Sequence, residues 1–214
     1  MISHALTIVI NELNTHLNDH YHAETNTETH QVDLGNLTDG VTSTTGSGSI
    51  QRDKIYLSVV NIQEEKTLKN LPHRIPDTAS LKTTYENSPV FINMLILVTA
   101  THTEYANALT GVSRTIRFFQ SNNVFTQENV RPESLTKSSP PINKLDQLES
   151  FKLIFDLYSP SLEEVNHLWG TLGGKQYPFV LYKLRMLDLQ FKAVQGQGRV
   201  VEEVITNFSH KIEG

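Results

Sequence analysis

Ile2, Leu6, Val9, Leu13 and Leu17 recur at steps of four or three, the spacing that lines one stripe of a helix, and they predict a helix running to about Asn18. From residue 24 to 51 the chain turns polar, and the Thr/Ser/Gly run 42–49 has no apolar period, which predicts a mobile loop over about 38–51. Residues 54–62 and 90–100 are rich in Ile, Val and Leu on both alternating faces, as interior strands covered on two sides require. Pro72 and Pro76 fall between them, so 73–77 reads as an irregular connector.

A second helix is predicted from about Thr103, with Tyr105, Leu109, Val112, Ile116 and Phe119 as its buried stripe. Residues 131–143 hold Pro132, Pro140 and Pro141 and read as a surface loop before a strand at 151–158. Ser161 and Glu164 have capping-box spacing, and Gly173-Gly174 supplies a left-handed stop. The short helix between them is expected to bury Leu162, Val165, Trp169 and Leu172.

Residues 177–192 read as a long strand whose apolar phase changes. Val180, Tyr182, Leu184 and Met186 occupy even positions; Leu187, Leu189 and Phe191 occupy odd ones. Side chains alternate strictly along a strand, so the change requires either a bulge or a second buried environment supplied by a partner subunit. Residues 193–214 form a tail in which Gly196 and Gly198 act as a flexible joint, followed by Val200, Val204, Ile205 and Phe208 as a docking helix or strand. The expected architecture is a single α+β domain over 1–192, its mixed or antiparallel sheet flanked by helices, plus this tail.

Composition narrows the function. With 38% apolar and 19% charged residues the chain is globular. A formal net charge of -5, with bases dispersed among acids, gives no concentrated basic face, so nucleic acid is not an expected partner. The absence of cysteine removes disulfides, thiolate nucleophiles and cysteine metal sites. No basic leader precedes the first apolar residues, and 90–100 is far shorter than the roughly 20 residues of a membrane span, so neither a signal peptide nor membrane insertion is expected.

The chemistry-bearing clusters are thin. His16 and His20 have the four-residue spacing of paired metal ligands, but no Glu follows the first His as a zincin requires, and a polar face is the expected role. Asp156 and Asp188 lie on predicted strands, where each is expected to face solvent or a basic neighbour rather than form a catalytic pair. No Gly-x-Ser-x-Gly elbow is present. No catalytic residue, cofactor or metal is expected. A small hydrolase built on His16, His20, Asp156 and Asp188 is the rival reading from another class.

Interface chemistry is a better match. Glu64, Glu65, Lys66 and Lys69 form a mixed charge run at a strand end, suited either to solvent or to fixing register between subunits. Leu187, Leu189 and Phe191, with Val200, Val204 and Phe208, are apolar positions suited to a partner chain.

Four segments share a resemblance. They are Asn-Ile-Gln-Glu-Glu-Lys-Thr-Leu-Lys-Asn at 61–70, the run 88–100, Phe118-Phe119-Gln120 with Asn123-Val124-Phe125-Thr126, and the run 157–174 from Leu157 through Trp169 to Gly174. As a set they resemble the N-terminal domain of tube-terminator proteins of phage-tail-like contractile injection systems, of the antifeeding-prophage and Photorhabdus virulence cassette type. The resemblance extends from Met1 to about Gln190. It implies a fold similar to phage tail terminators, a six-membered ring on the last layer of inner tube in contact with the last layer of contractile sheath, and no catalysis. It also implies assembly in the bacterial cytoplasm before the chain becomes part of a particle. A baseplate or other assembly component of the same particle is the nearer alternative.

Overall fold

The computed structural model describes residues 1–21, 31–42, 50–67, 74–77, 82–86, 90–136, 143–148, 151–189 and 194–199. In chain order its elements are α1 (Ile2–Tyr21), β1 (Gln31–Leu34), β2 (Val41–Thr42), β3 (Ile50–Gln51), β4 (Lys54–Glu64), β5 (Arg74–Asp77), β6 (Lys82–Glu86), β7 (Val90–Ala100), α2 (Tyr105–Ser121), β8 (Val124–Thr126), α3 (Pro132–Thr136), β9 (Lys152–Tyr158), α4 (Leu162–Thr171), β10 (Phe179–Leu189) and β11 (Val194–Arg199). A mixed sheet runs β1-β4-β7-β10-β9-β8, with β1 and β4 parallel and the other neighbours antiparallel.

Helices α1 and α2 cover one face of this sheet. Leu6, Val9, Leu13 and Leu17 of the predicted α1 stripe are buried there, against Ile55, Leu57, Met94, Ile96, Val98, Phe155, Val180, Tyr182 and Leu184. The other face carries a smaller apolar cluster in which Tyr56, Leu97 and Leu181 meet Leu37, Ile50 and Trp169 of α4. Strand β4 is therefore covered on both sides only over its first half, whereas β7 is buried on both faces from Ile92 to Ala100 except at half-buried Leu95. Past Ser58, β4 emerges, and Val59 and Ile62 are exposed.

The capping box at Ser161 and Glu164 is present in both directions. Gly173 and Gly174 adopt positive φ of 94° and 77°, and the Gly174 amide donates to the Trp169 carbonyl at 2.8 Å, closing α4 with a Schellman bond.

Several expectations are revised. The segment 73–77 is not an irregular connector: β5 pairs antiparallel with β6, Pro76 opposite Thr83. In the order β11-β6-β5 it is an edge strand, where the missing proline amide leaves no ladder bond unmade. Pro132 likewise does not keep 131–143 irregular, because it opens α3 at a first-turn position that needs no amide. Glu12 accepts from the Arg131 amide at 2.8 Å, and Asn11 donates to the Ser134 carbonyl at 3.0 Å, so α1 anchors that turn.

Within 38–51, β2 and β3 pair in parallel, and Tyr56 Oη accepts from the Gln51 amide at 2.8 Å; residues 43–49 lie outside the described residues. The glycines of the proposed joint, Gly196 and Gly198, sit in β11, where they pair opposite Tyr85 and Thr83.

The phase change along β10 is a bulge. Leu184 pairs with Met94 and the next pair is Leu187 with Ile92, so β10 takes three steps where β7 takes two. Across β7, Val59 pairs with Ile96 and Asn61 with Leu95, a matching extra residue in β4. The register provides an intramolecular cause for the switch, without a partner subunit.

Candidate assembly surface

The functional candidates are surfaces, and they begin with how α2 sits on the sheet. Its buried residues are Ala108, Gly111, Val112, Thr115, Phe118 and Phe119. Phe119 lies 4.8 Å from the Phe155 ring and 4.5 Å from Tyr182, while Phe118 and Arg114 turn toward α1, at 5.2 Å from His16 and 4.4 Å from the Tyr21 ring. Val112 and Phe119 of the predicted stripe are buried, but at 100° per residue this orientation swings its other three members out of the core. Tyr105, Leu109 and Ile116 are 68%, 45% and 38% exposed and line the flank of α2 opposite α1. The helix contains Arg114 and Arg117 and no acid.

Small Ala108 and Gly111 at the contact, followed by two adjacent phenylalanines, are the sequence signal for this rotation. Ala108, Gly111 and Phe118 compete with the predicted 105–109–112–116–119 spacing, with which the buried face shares Val112 and Phe119. Leu162 is a second departure: expected in the core, it is 78% exposed at the start of α4, while Val165 and Leu172 are half-buried and Trp169 is buried.

Sheet edges matter in any assembling protein, because unpaired strand amides and carbonyls template further pairing. Two asparagines blunt the edges here. Asn14 of α1 bonds both backbone groups of Val32 on β1, donating to its carbonyl at 2.9 Å and accepting from its amide at 2.8 Å. Asn129 accepts from the Thr126 amide at 2.7 Å and donates to the Val124 carbonyl at 2.8 Å on β8.

Strand β9 outruns β8. Its pairing with β8 stops at Ile154, and the Phe155 amide donates to the Asn123 carbonyl at 2.8 Å. Two positions on, the Leu157 backbone points to the same outer side and no described strand pairs with it there. Leu157 is 58% exposed and lies opposite Tyr182, on the α2 side of the sheet.

The residues singled out from sequence divide. Glu65 is not a free rim charge: its carboxylate accepts from the Asn93 amide group at 2.7 Å and from the Thr67 backbone amide at 3.1 Å, and also from the Thr67 hydroxyl. Those bonds, that of the Thr67 hydroxyl foremost, bring its pKa down to about 2. Glu64 and Lys66 on either side are exposed. Leu187 and Leu189 occupy register positions opposite Ile92 and Val90. Lys69, Phe191, Val200, Val204 and Phe208 lie outside the described residues.

The rival catalytic groups do not converge. Asp156 pairs with Arg185 at 2.6 Å and stands opposite Lys183, five residues from Asp188, as expected of a strand acid with a basic neighbour. His16 and His20 stack at 4.2 Å, and His20 Nδ1 donates to the His16 carbonyl at 3.0 Å. Burial first, then the charge of His20, lowers the His16 pKa. His16 is half-buried rather than fully solvated, and among the described residues no three His, Asp or Glu side chains are grouped to hold a metal. No helix among them is long and apolar enough to cross a membrane.

Fold and surface together describe an α+β domain with an exposed apolar helix flank and two blunted sheet edges. The chain belongs to the family described as the Pvc16 N-terminal domain, which matches residues 5–203. The match extends beyond the stretch of resemblance noted from sequence and takes in β11.

Two solved structures share the fold. One is the PVC sheath/tube terminator of an extracellular contractile injection system in its extended state, with a TM-score of 0.53 and 14% identity over 95% of this chain and 64% of that one. The other is the tube-terminating cap of the anti-feeding prophage, with a TM-score of 0.54 and 13% identity over 94% of this chain and 60% of that one. The chain thus spans less than two thirds of either protein. No curated protein matches the sequence.

Proposed function

We propose that this chain is a non-enzymatic cap: a tube-terminator subunit that ends inner-tube and sheath polymerisation at the distal end of a bacterial contractile injection particle. The observation that carries the reading is a fold shared over 95% of the chain with a protein that terminates sheath and tube, and membership in the Pvc16 N-terminal domain family supports it. The partners are further copies of the chain in a six-membered ring, the inner tube protein and the contractile sheath protein. The ring forms in the bacterial cytoplasm and leaves as part of the particle.

A stack of identical rings grows by heterologous contacts, so its end always presents the surface that recruits another ring. A terminator matches that surface on one side and offers none on the other. Termination of this kind requires no bond making. The asparagines on β1 and β8 serve the same end locally, because they occupy backbone groups that would template another strand.

Deleting the gene and measuring tube and sheath lengths by electron microscopy tests the proposal. Overlong or unstable particles, restored to uniform length by the wild-type gene, are the expected result; uniform finished particles in the deletion strain refute it. A labelled copy imaged at the baseplate end would instead assign the chain to the baseplate.

A further inference from the structure

We propose that the groove between the exposed flank of α2 and the open edge of β9 receives residues 200–208 of a neighbouring copy as an added strand. This rests on the cap reading for its ring, and on three observations for its site.

The groove has the parts strand addition needs. One wall is the apolar flank Tyr105, Leu109 and Ile116, and Leu157 lies on the same face of the sheet, beside the ring cluster of Phe119, Phe155 and Tyr182. Leu157 also offers its outward amide and carbonyl, the backbone contact that fixes an incoming strand between an edge and a helix. The sheet's two outermost strands have such groups occupied by Asn14 and Asn129, so this position is set apart from them.

The occupant is named by composition and charge. Val200, Val201, Val204, Ile205 and Thr206 are β-branched, suited to an extended segment, and the alternating set Val204, Thr206 and Phe208 gives it one largely apolar side. Glu202 and Glu203 make it acidic, whereas α2 has no acid and exposes Arg117 next to Ile116, its other arginine, Arg114, being turned to Tyr21 of α1. Asp156, next to Leu157 in sequence, points to the other face of the sheet and is held by Arg185 at 2.6 Å.

The segment follows directly on β11, itself an added strand on β6. A groove and a tail are two unlike surfaces on one chain, and repeating that contact by rotation closes a ring.

The chain has no cysteine, which makes the test clean. Full-length Ile116→Cys and Val204→Cys proteins are mixed and oxidised, alone and on purified tube ends. A disulfide-linked dimer containing one copy of each is the expected product. Native mass measurements on Leu109→Asp and on Val204→Asp should each show the association constant lowered at least about tenfold. Arg117→Glu should weaken association, and Glu202→Arg in the same chain, on the same side of the strand as Val204, should restore it.

The proposal is overturned if the mixture stays uncrosslinked on tube ends, if a chain carrying both Ile116→Cys and Val204→Cys links only within itself, or if Leu109→Asp leaves the mass distribution unchanged. Tube-end binding by wild type is scored separately. Binding without the cross-link removes the groove assignment and leaves the cap reading standing, whereas a cross-linked oligomer that ignores tube ends removes the cap reading alone.

Discussion

Glu65 and Asn93 are joined by a 2.7 Å hydrogen bond between the last turn out of β4 and a buried position of β7, which pins the β4 exit to the sheet. A carboxylate whose folded pKa is about 2, below the ordinary 4.5, contributes stability that is complete above the unfolded value and is lost as pH falls from there through the folded one. Thermal melts of wild type and Glu65→Gln should therefore differ at pH 7 and converge between pH 4.5 and 2. A constant difference across that window would mean that the carboxylate charge is not what matters.

His4 works in a higher window. It is 6% exposed, and its Nδ1 accepts from the Leu148 amide at 2.9 Å, so it ties the segment before β9 to α1 in the unprotonated form. Burial lowers its pKa from 6.5, with a backbone contact to Leu135 opposing. A lowered pKa makes this stabilisation complete above 6.5 and progressively lost below it. Wild-type melting temperature should fall from pH 7 to pH 5.5, and His4→Gln should flatten that slope. Equal slopes in the two proteins would exclude His4 as the cause.

Two positions on related surfaces should behave oppositely. Phe155 is 2% exposed within the ring cluster, and Phe155→Ala is expected to destabilise by about 3–5 kcal/mol through lost contacts and a cavity. Ile116→Ser, on the exposed flank of α2, should stay within about 0.5 kcal/mol. Urea denaturation of both decides the orientation of α2, because comparable losses would place Ile116 in the core.

Gly35 is tight against Tyr56. A Cβ there would stand 2.5 Å from Tyr56 Cδ1, and Tyr56 is the ring whose hydroxyl holds the Gln51 amide. Gly35→Ala should destabilise by about 1–3 kcal/mol through overpacking, with exchange of the Gln51 amide accelerated. An unchanged denaturation midpoint would show that Tyr56 moves aside freely.

Much of the layout follows from short-range pattern. The α1 stripe, the capping box at Ser161, the glycine stop and the apolar runs of β4 and β7 are each set by neighbours a few residues apart, so spacing alone reveals them. What spacing cannot supply is which of two faces a tertiary partner takes. Helix α2 offered the 105–109–112–116–119 line and the 108–111–115–118 line, and the ring cluster on β9 and β10 centred the buried face on the second, keeping Val112 and Phe119 of the first and turning Tyr105, Leu109 and Ile116 outward. Proline rules failed at Pro76 and Pro132 for one reason, since both occupy positions where the missing amide is not required. The phase change after Leu184 was visible as a fact of alternation, while its cause needed the register against β7. Leu157 and Glu65 were hidden in a further way: one matters through a backbone group that β8 is too short to reach, the other through Asn93, which lies 28 residues further along the chain.

The extra residues in β4 and β10 set the outer rim of the sheet in a different frame from its body, while β7 between them keeps one frame throughout. Losing a single residue within 59–61 or 184–187 would exchange which side chains each side of that rim displays. The rim can therefore acquire new surface chemistry by one insertion or deletion, where an unbulged sheet would need a substitution at every position.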